Sequence, residues 1–370
     1  MNDFLPFTRP TIDEHTIQGV AEVMRSGWLA TGPNVSHFEQ ALSDYIGGQR
    51  HVLALTSGTA ALELALDICG IGPGDEVLVP AMTFAATANV VMRVGAVPIF
   101  VDVDLHSRNI LLDQAEEAIT DRTRAIMPVH YSGLPVDREP LYELAEKHKL
   151  RVIEDAAHAI GSAWGEDKVG SLGDIACFSF HPNKNMTTIE GGALSVASEV
   201  EARQIENLRF HGIDRLDDGS IDVTAAGGKY NLSDVAARIG IDQLTSLDAF
   251  NNKRRMLAYR YYDQLGDSFP GILPTRGDAG HSWHMFTVLL PFDELGQTRQ
   301  AFIKAMHERG IGVGMHYPAL HEMTLYQTIN RHPCPNASRI GRETITLPLF
   351  PGMEMADVDR VCATMMDVLP

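Results

Sequence analysis

At 370 residues the chain is longer than one ordinary core fills, which favours two domains. With 45% hydrophobic and only 21% charged residues it has material for a sizeable core, and disordered and fibrous classes are excluded. A formal charge of -18 opposes non-specific binding to nucleic acid or an anionic membrane, both of which need a positive surface, so an anionic ligand must be held by local donors.

In chain order, the first ten residues lack the basic start, apolar run and small-residue cleavage site of an export signal, which predicts a cytoplasmic protein. From residue 52 short apolar runs alternate with amphipathic stretches. Strands are predicted at 52–55, 76–79, 98–101, 125–129 and 151–154, separated by helix-like segments such as 60–69 and 140–148. That rhythm predicts an α/β fold with a mostly parallel central sheet sandwiched by helices. Strands at 175–180 and 193–196 follow, with only a short connection between them, then a helix at 199–210.

Ser233 or Asp234 is placed to cap a helix running to about residue 265, with a charged break at Asn251-Asn-Lys-Arg-Arg255. The domain boundary is expected near 246, giving a large domain at 1–245 and a small C-terminal α/β domain at 246–370. In the latter, strands are predicted at 285–290 and 312–316, and helices at 297–309 and from about 355. No apolar run approaches the length of a bilayer span. Cys69, Cys177, Cys334 and Cys362 form no Cys-x-x-Cys pair and are expected as reduced thiols.

Three segments carry chemistry. Thr56-Ser-Gly-Thr-Ala-Ala61 lies where a strand ends and a helix begins. Free N–H groups, hydroxyls and the helix dipole suit such a junction to a phosphate, and a plain Ser/Thr cap is the alternative. No Gly-x-Gly-x-x-Gly or Walker loop supports a dinucleotide or NTP. Asp155, in Val152-Ile-Glu-Asp-Ala-Ala-His158, ends an apolar strand where α/β sheets gather ligands. A carboxylate there can keep a pyridine nitrogen protonated, or can simply cap the next helix. Lys184 follows another strand in Asn183-Lys-Asn-Met-Thr-Thr188, ahead of Glu190-Gly-Gly192. By itself it reads as a surface lysine. A Schiff-base lysine, however, needs this setting of a flexible stem on a rigid element. Gly191 and Gly192 would let backbone pass close to a cofactor, and the Ser179 hydroxyl could reach the same phosphate as Thr59.

Together, Ser57-Gly-Thr-Ala60, Glu154-Asp-Ala-Ala-His158, Ser179-Phe-His181 with Lys184, Glu190-Gly-Gly192 and Lys229-Tyr-Asn-Leu-Ser-Asp234 resemble the DegT/DnrJ/EryC1/StrS family of aminotransferases dependent on pyridoxal 5'-phosphate (PLP). The resemblance runs from Pro6-Phe-Thr-Arg-Pro10 and Ser26-Gly-Trp-Leu-Ala-Thr-Gly-Pro33 to Leu347-Pro-Leu-Phe-Pro351. Within the family the chain looks most like the members acting on UDP-4-keto-pentose, the UDP-4-amino-4-deoxy-L-arabinose–oxoglutarate aminotransferase type.

The resemblance implies the PLP-dependent transferase fold type I. It makes Lys184 the Schiff-base lysine, Asp155 the partner of the pyridine nitrogen, and His158 a neighbour of the ring and its 3'-oxygen. These three are the catalytic set. Gly58, Thr59, Ala60 and Ser179 would bind the phosphate, and Phe84 would stack on the ring. Asn231 would reach the phosphate of the neighbouring subunit's cofactor, which implies a homodimer with shared active sites. A substrate loop would contribute His316, Tyr317 and His321 from Gly312-Val-Gly-Met-His-Tyr-Pro-Ala-Leu-His321.

The implied reaction moves an amino group from glutamate to a keto acceptor, foremost a nucleotide-linked 4-keto sugar. Non-sugar amines or polyamines with a keto-acid acceptor are the alternative, and a non-catalytic binding protein on the same fold is the rival of another class. Dehydratases of this family carry His at the lysine position; here Lys184 stands. Metal binding through His316 and His321 lacks a third ligand at suitable spacing, and no metal is expected. Ile189 occupies a position that is often Gly, so a positive φ is not expected there and a narrower substrate side is.

Overall fold

The computed structural model describes residues 4–216, 218–266, 269–278, 280–329 and 332–370. Its main sheet contains β1 (His51–Leu55), β2 (Glu76–Pro80), β3 (Val97–Val101), β4 (Thr123–Ile126), β5 (Arg151–Asp155), β6 (Ile175–Ser179) and β7 (Gly192–Val196), in the order β1-β7-β6-β5-β4-β2-β3. The run from β3 to β6 is parallel. β7 is antiparallel to both β6 and β1, because the connection 180–191 is a turn with no crossover helix to carry the chain back.

Side chains on successive strand residues leave opposite faces, and the cores divide accordingly. Ile175 and Cys177 of β6 join Val77, Val79 and Ile153 on one face, under helices α3 (Gly58–Ile68), α4 (Ala85–Arg93) and α7 (Glu199–Leu208). On the other face Ala176 and Phe178 meet α2 (Pro33–Ile46) and the first half of α8 (Asp234–Leu265). Further along that face Leu78, Ile126 and Val152 meet α5 (Leu112–Glu117) and α6 (Arg138–His148). The sheet is therefore covered on both sides. The helix α1 (Glu14–Ser26) packs beside α8. Of the two candidate caps, Ser233 caps α8 by accepting from Ala236 N–H. Asp234 instead accepts from Asn34 and Val35 N–H, capping α2 across space.

A second core lies around the antiparallel pair β8 (Phe286–Leu289) and β9 (Thr344–Leu347), packed on Leu257, Tyr261 and Leu265 of α8, on α9 (Arg299–Glu308) and on α11 (Met355–Val368). The helix α10 (Pro335–Glu343) joins the first core through Ala337 and Ile340.

Two expectations change. The break expected at 251–255 does not occur, and α8 is continuous through residue 246, where the domain boundary is expected. Two of the polar residues there, Asn251 and Arg254, are buried and tie neighbouring segments together. Asn251 accepts from Asn185 Nδ2 at 2.7 Å, and Arg254 donates to the carbonyls of His284 (3.1 Å) and Leu349 (2.8 Å). The strand expected at 312–316 reduces to one bridge, Gly314 with Thr346, followed by a cis His316–Tyr317 peptide. Strand β9 and the helices α1 and α2 were not anticipated. No helix among the described residues is long and apolar enough to cross a membrane.

Candidate active site

The carboxyl ends of β5 and β6 and the N-termini of α3 and α4 surround a cavity of about 300 Å³. Gly58, Thr59, Phe84, Asp155, His158, Ser179, Lys184, His316 and Tyr317, all anticipated from sequence, line it.

Lys184 projects from a turn that is fastened at every step. Phe180 N–H donates to Gly191 O at 2.8 Å, Lys184 N–H to His181 O at 2.8 Å and Thr188 N–H to Phe180 O at 3.0 Å. The adjacent Asn185 gives both amide protons away, to Asn251 Oδ1 (2.7 Å) and Ser282 O (2.8 Å). Its Oδ1 therefore accepts from His284 Nδ1 at 3.1 Å, which fixes that imidazole's proton on Nδ1. The lysine thus has a flexible stem on an immobile base. Burial lowers its pKa to about 8, with the Asp155 carboxylate pulling the other way. A neutral amine is the nucleophile, and it forms above the pKa. Imine formation between cofactor-free protein and a small aldehyde, corrected by the Lys184→Ala background, will therefore rise through a midpoint near pH 8; a midpoint at the ordinary lysine value would refute this environment.

Asp155 is buried, which raises its pKa. Donors oppose that shift: Thr87 Oγ1–H at 2.8 Å on Oδ2, and Ala157 N–H at 3.2 Å on Oδ1. His158, three residues on, is held neutral by burial. Its Nδ1 accepts from Ser132 N–H at 3.3 Å, so the proton sits on Nε2, 3.3 Å from the Tyr317 hydroxyl. The His284 ring stacks on the imidazole with centroids 4.4 Å apart, and the Tyr317 ring centroid lies 6.2 Å away.

At the head of α3, Ser57 caps the helix by accepting from Ala60 N–H at 3.0 Å. The capping reading of this motif is correct, and the anion reading survives beside it. Gly58 and Thr59 are in the first turn and open to the cavity, where their amides and the helix dipole favour negative charge. Close approach requires glycine twice. A Cβ on Gly58 would come within 2.8 Å of Ser179 Cβ, and one on Gly192 within 2.4 Å of the Ser57 carbonyl carbon. Backbone alone thus brings the helix start beside the Ser179 hydroxyl. Phe84, 57% exposed, presents an unusually bare aromatic ring for a cavity wall, 5.8 Å from the Tyr317 ring. A lysine with a lowered pKa, a buried carboxylate, an anion cradle and a bare aromatic face fit a planar pyridine ring bearing an aldehyde and a phosphate.

Some anticipated residues lie elsewhere. Ala60 is buried in the first core, its amide taken by the cap. His321 is outside the cavity wall and bonds Ser338 Oγ at 3.0 Å through Nε2. Asn231 is outside this chain's cavity, on an edge where it bonds Thr31 and Lys229. His316 does line the cavity, its Nδ1 2.8 Å from Thr346 Oγ1, with a pKa lowered by burial to about 4. The expectation for Ile189 is overturned: it adopts φ +72 and is 58% exposed, with its N–H held by Thr187 Oγ1 at 2.9 Å. The turn imposes a left-handed residue there whatever the side chain, at a cost of about 1–2 kcal/mol. No cluster suited to a metal occurs among the described residues.

Thr87 and Asn185 are not singled out from sequence, and His284, in His281-Ser-Trp-His284, reads there as a domain edge rather than a ligand contact. The one available signal was the spacing Thr83-x-x-x-Thr87, which aligns two hydroxyls only once a helix is known to begin at Ala85.

The family model of the DegT/DnrJ/EryC1/StrS aminotransferases matches residues 10–366. Among solved structures, a putative sugar aminotransferase, Spr1654 from Streptococcus pneumoniae, in its PMP form, is 30% identical, with 99% of this chain and 97% of that chain covered and a TM-score of 0.93. The same protein is also known in a PLP form. PseC from Helicobacter pylori, an aminotransferase of pseudaminic acid biosynthesis, is 27% identical over 99% of both chains, with a TM-score of 0.93. DesI, solved in the presence of its TDP-sugar product, is 29% identical over 100% of this chain and 93% of that one, with a TM-score of 0.89.

Proposed function

Since the chain belongs to the DegT/DnrJ/EryC1/StrS aminotransferase family, we propose that it transfers the amino group of glutamate to a nucleotide-linked 4-keto sugar. It is a PLP-dependent transaminase of fold type I. The observation that carries the reading is the convergence of Lys184, Asp155 and the α3 cradle on one cavity. The sugar acceptor is supported by the TDP-sugar product with DesI and by the sugar aminotransferase similarity of Spr1654.

Gly58, Thr59 and Ser179, which line the cavity, would hold the phosphate, Phe84 would pack against the ring, and Asp155 would keep its nitrogen protonated. When bound, PLP supplies an aldehyde that captures amines and a pyridinium ring that accepts an electron pair. Lys184 Nζ would anchor the cofactor and, as a free amine beside the substrate carbon, would take the proton from that carbon as general base and deliver it to the second reacting carbon as general acid. Its low pKa leaves a useful neutral fraction near pH 7. Neutral His158, oriented by Ser132 and Tyr317, is the ring's polar neighbour.

A homodimer with shared sites is part of the proposal. Asn231 lies beside the segment of Trp28 and Leu29, which are 60% and 42% exposed, an apolar edge of the kind subunits cover. A cytoplasmic setting belongs to the same reading, because glutamate and nucleotide sugars are metabolites of the cell interior.

The acceptor is tested by two half-reactions followed through the absorbance of the bound cofactor. Glutamate should discharge the PLP band, and a nucleotide-linked 4-keto sugar should restore it at least about 100-fold more efficiently than a polyamine-derived aldehyde, a preference of a few kcal/mol. Equal restoration by the polyamine-derived aldehyde would replace the sugar reading with the amine one.

A further inference from the structure

Two buried threonines at the start of α4 form a hydroxyl chain ending on the Asp155 carboxylate. Thr87, fully buried, donates to Asp155 Oδ2 at 2.8 Å, and Thr83, 2% exposed, has its Oγ1 2.9 Å from Thr87 Oγ1. A hydroxyl carries one proton. With the Thr87 proton committed to an ionised Asp155, the Thr83 contact has a single consistent direction: Thr83 donates to Thr87. Such a chain is polarised toward the carboxylate, and each bond strengthens the next. Ala157 N–H supplies the other oxygen at 3.2 Å, so each carboxylate oxygen has one protein donor and a lone pair to spare.

We propose that Thr87, backed by Thr83, is a positioning residue that keeps Asp155 charged and fixes its carboxylate plane for the ring nitrogen of the cofactor. The inference rests on Asp155 being the ring-nitrogen partner. Burial favours the neutral acid, and the Thr87 hydrogen bond is the foremost influence opposing it. A protonated Asp155 would turn its own O–H toward Thr87, reverse the chain and lose its hold on a positively charged ring. The helix that bears Thr87 also presents Phe84, three residues earlier, so one turn of chain governs both the ring face and the ring nitrogen's counter-charge. If the two hydroxyls merely satisfied each other in a helical first turn, removing one would leave recognition of the ring nitrogen untouched.

The two roles separate with a probe lacking that nitrogen. Cofactor-free wild type, Thr87→Val and Thr87→Ser proteins are titrated with PLP and with its 1-deaza analogue, in which C–H replaces the ring nitrogen, and the dissociation constants are compared. Wild type should prefer PLP. Thr87→Val should lose about tenfold or more of its PLP affinity, the loss expected for a hydrogen bond to a charged group, with little change for the analogue. The preference should collapse, and Thr87→Ser should restore it. As pH falls, PLP binding by Thr87→Val should weaken earlier than wild type's, because Asp155 takes its proton at higher pH. A Thr87→Val protein that keeps the wild-type preference, or loses both ligands equally, overturns the proposal. Wild type without any preference overturns the Asp155 assignment itself, a distinct failure. Should Thr87→Val not fold, Thr83→Val decides: a preference reduced about threefold supports the chain, and an unchanged one overturns it.

Discussion

Lys184→Ala will reduce transamination by a factor on the order of 10⁴ or more while leaving a folded protein that still binds PLP. The factor follows from the role proposed for the side chain. General acid–base catalysis by a positioned group contributes about 10² to 10⁴, and holding that group beside the reacting carbon adds an effective concentration that no solvent base matches. The fold survives because the turn is held by its backbone and by Asn185, not by the lysine amine. Binding survives in weakened form because the α3 cradle, Ser179, Phe84 and Asp155 remain. The checks are single-turnover absorbance after mixing the loaded variant with glutamate, and partial recovery on adding a small primary amine that fits the vacated space. Retained steady-state transamination in the variant would remove Lys184 from its assigned role.

Much of this site is legible in the sequence, for a physical reason. Strands flanked by turns announce themselves as apolar runs, and in an α/β sheet their carboxyl ends share one edge. Thr59, Asp155, Ser179 and Lys184 stand beside such ends, so placing the strands placed the residues. Contacts that depend on chain folding over distance were not readable. Thr87 meets Asp155 across 68 residues of sequence, and His284 meets Asn185 across 99. Neither pair leaves a local pattern.

Misreadings share a cause as well. Asn251 and Arg254 looked like a helix break because polar side chains normally face water, whereas here they bridge the two cores. Residues 312–316 alternate like a strand, but Gly312 N–H goes to Leu5 O and only Gly314 pairs with β9, on the edge β8 leaves free. Ile189 was judged by its side-chain preference, and the hydrogen bonds of the lysine turn overrule that preference. The Ala60 amide, grouped with its neighbours from sequence, also carries the Ser57 cap, a contact that the motif itself offers.

Asp155→Ala should lower turnover by a factor of about 10² to 10³, the range seen when a preorganised charge that stabilises a transition state is removed. The reasoning differs from that for Lys184. In its proposed role Asp155 transfers nothing; it would make a positive ring nitrogen the stable form at neutral pH, and without that charge the ring would accept the substrate's electron pair poorly. The carboxylate is buried and supported by Thr87 and Ala157, so no solvent ion replaces it. A cofactor whose ring nitrogen bears a methyl group carries a permanent positive charge and needs no carboxylate to hold a proton. Loading Asp155→Ala with that N-methyl analogue, which also fills part of the space left by the side chain, should recover at least about tenfold of the lost rate in the glutamate half-reaction. The same analogue in wild type should give no gain. If the variant with ordinary PLP keeps wild-type turnover, Asp155 is a structural carboxylate at a strand end. If the loss occurs but the fixed charge restores nothing, the residue supports the site through packing, and the electron-sink role must be sought in another group lining the cavity.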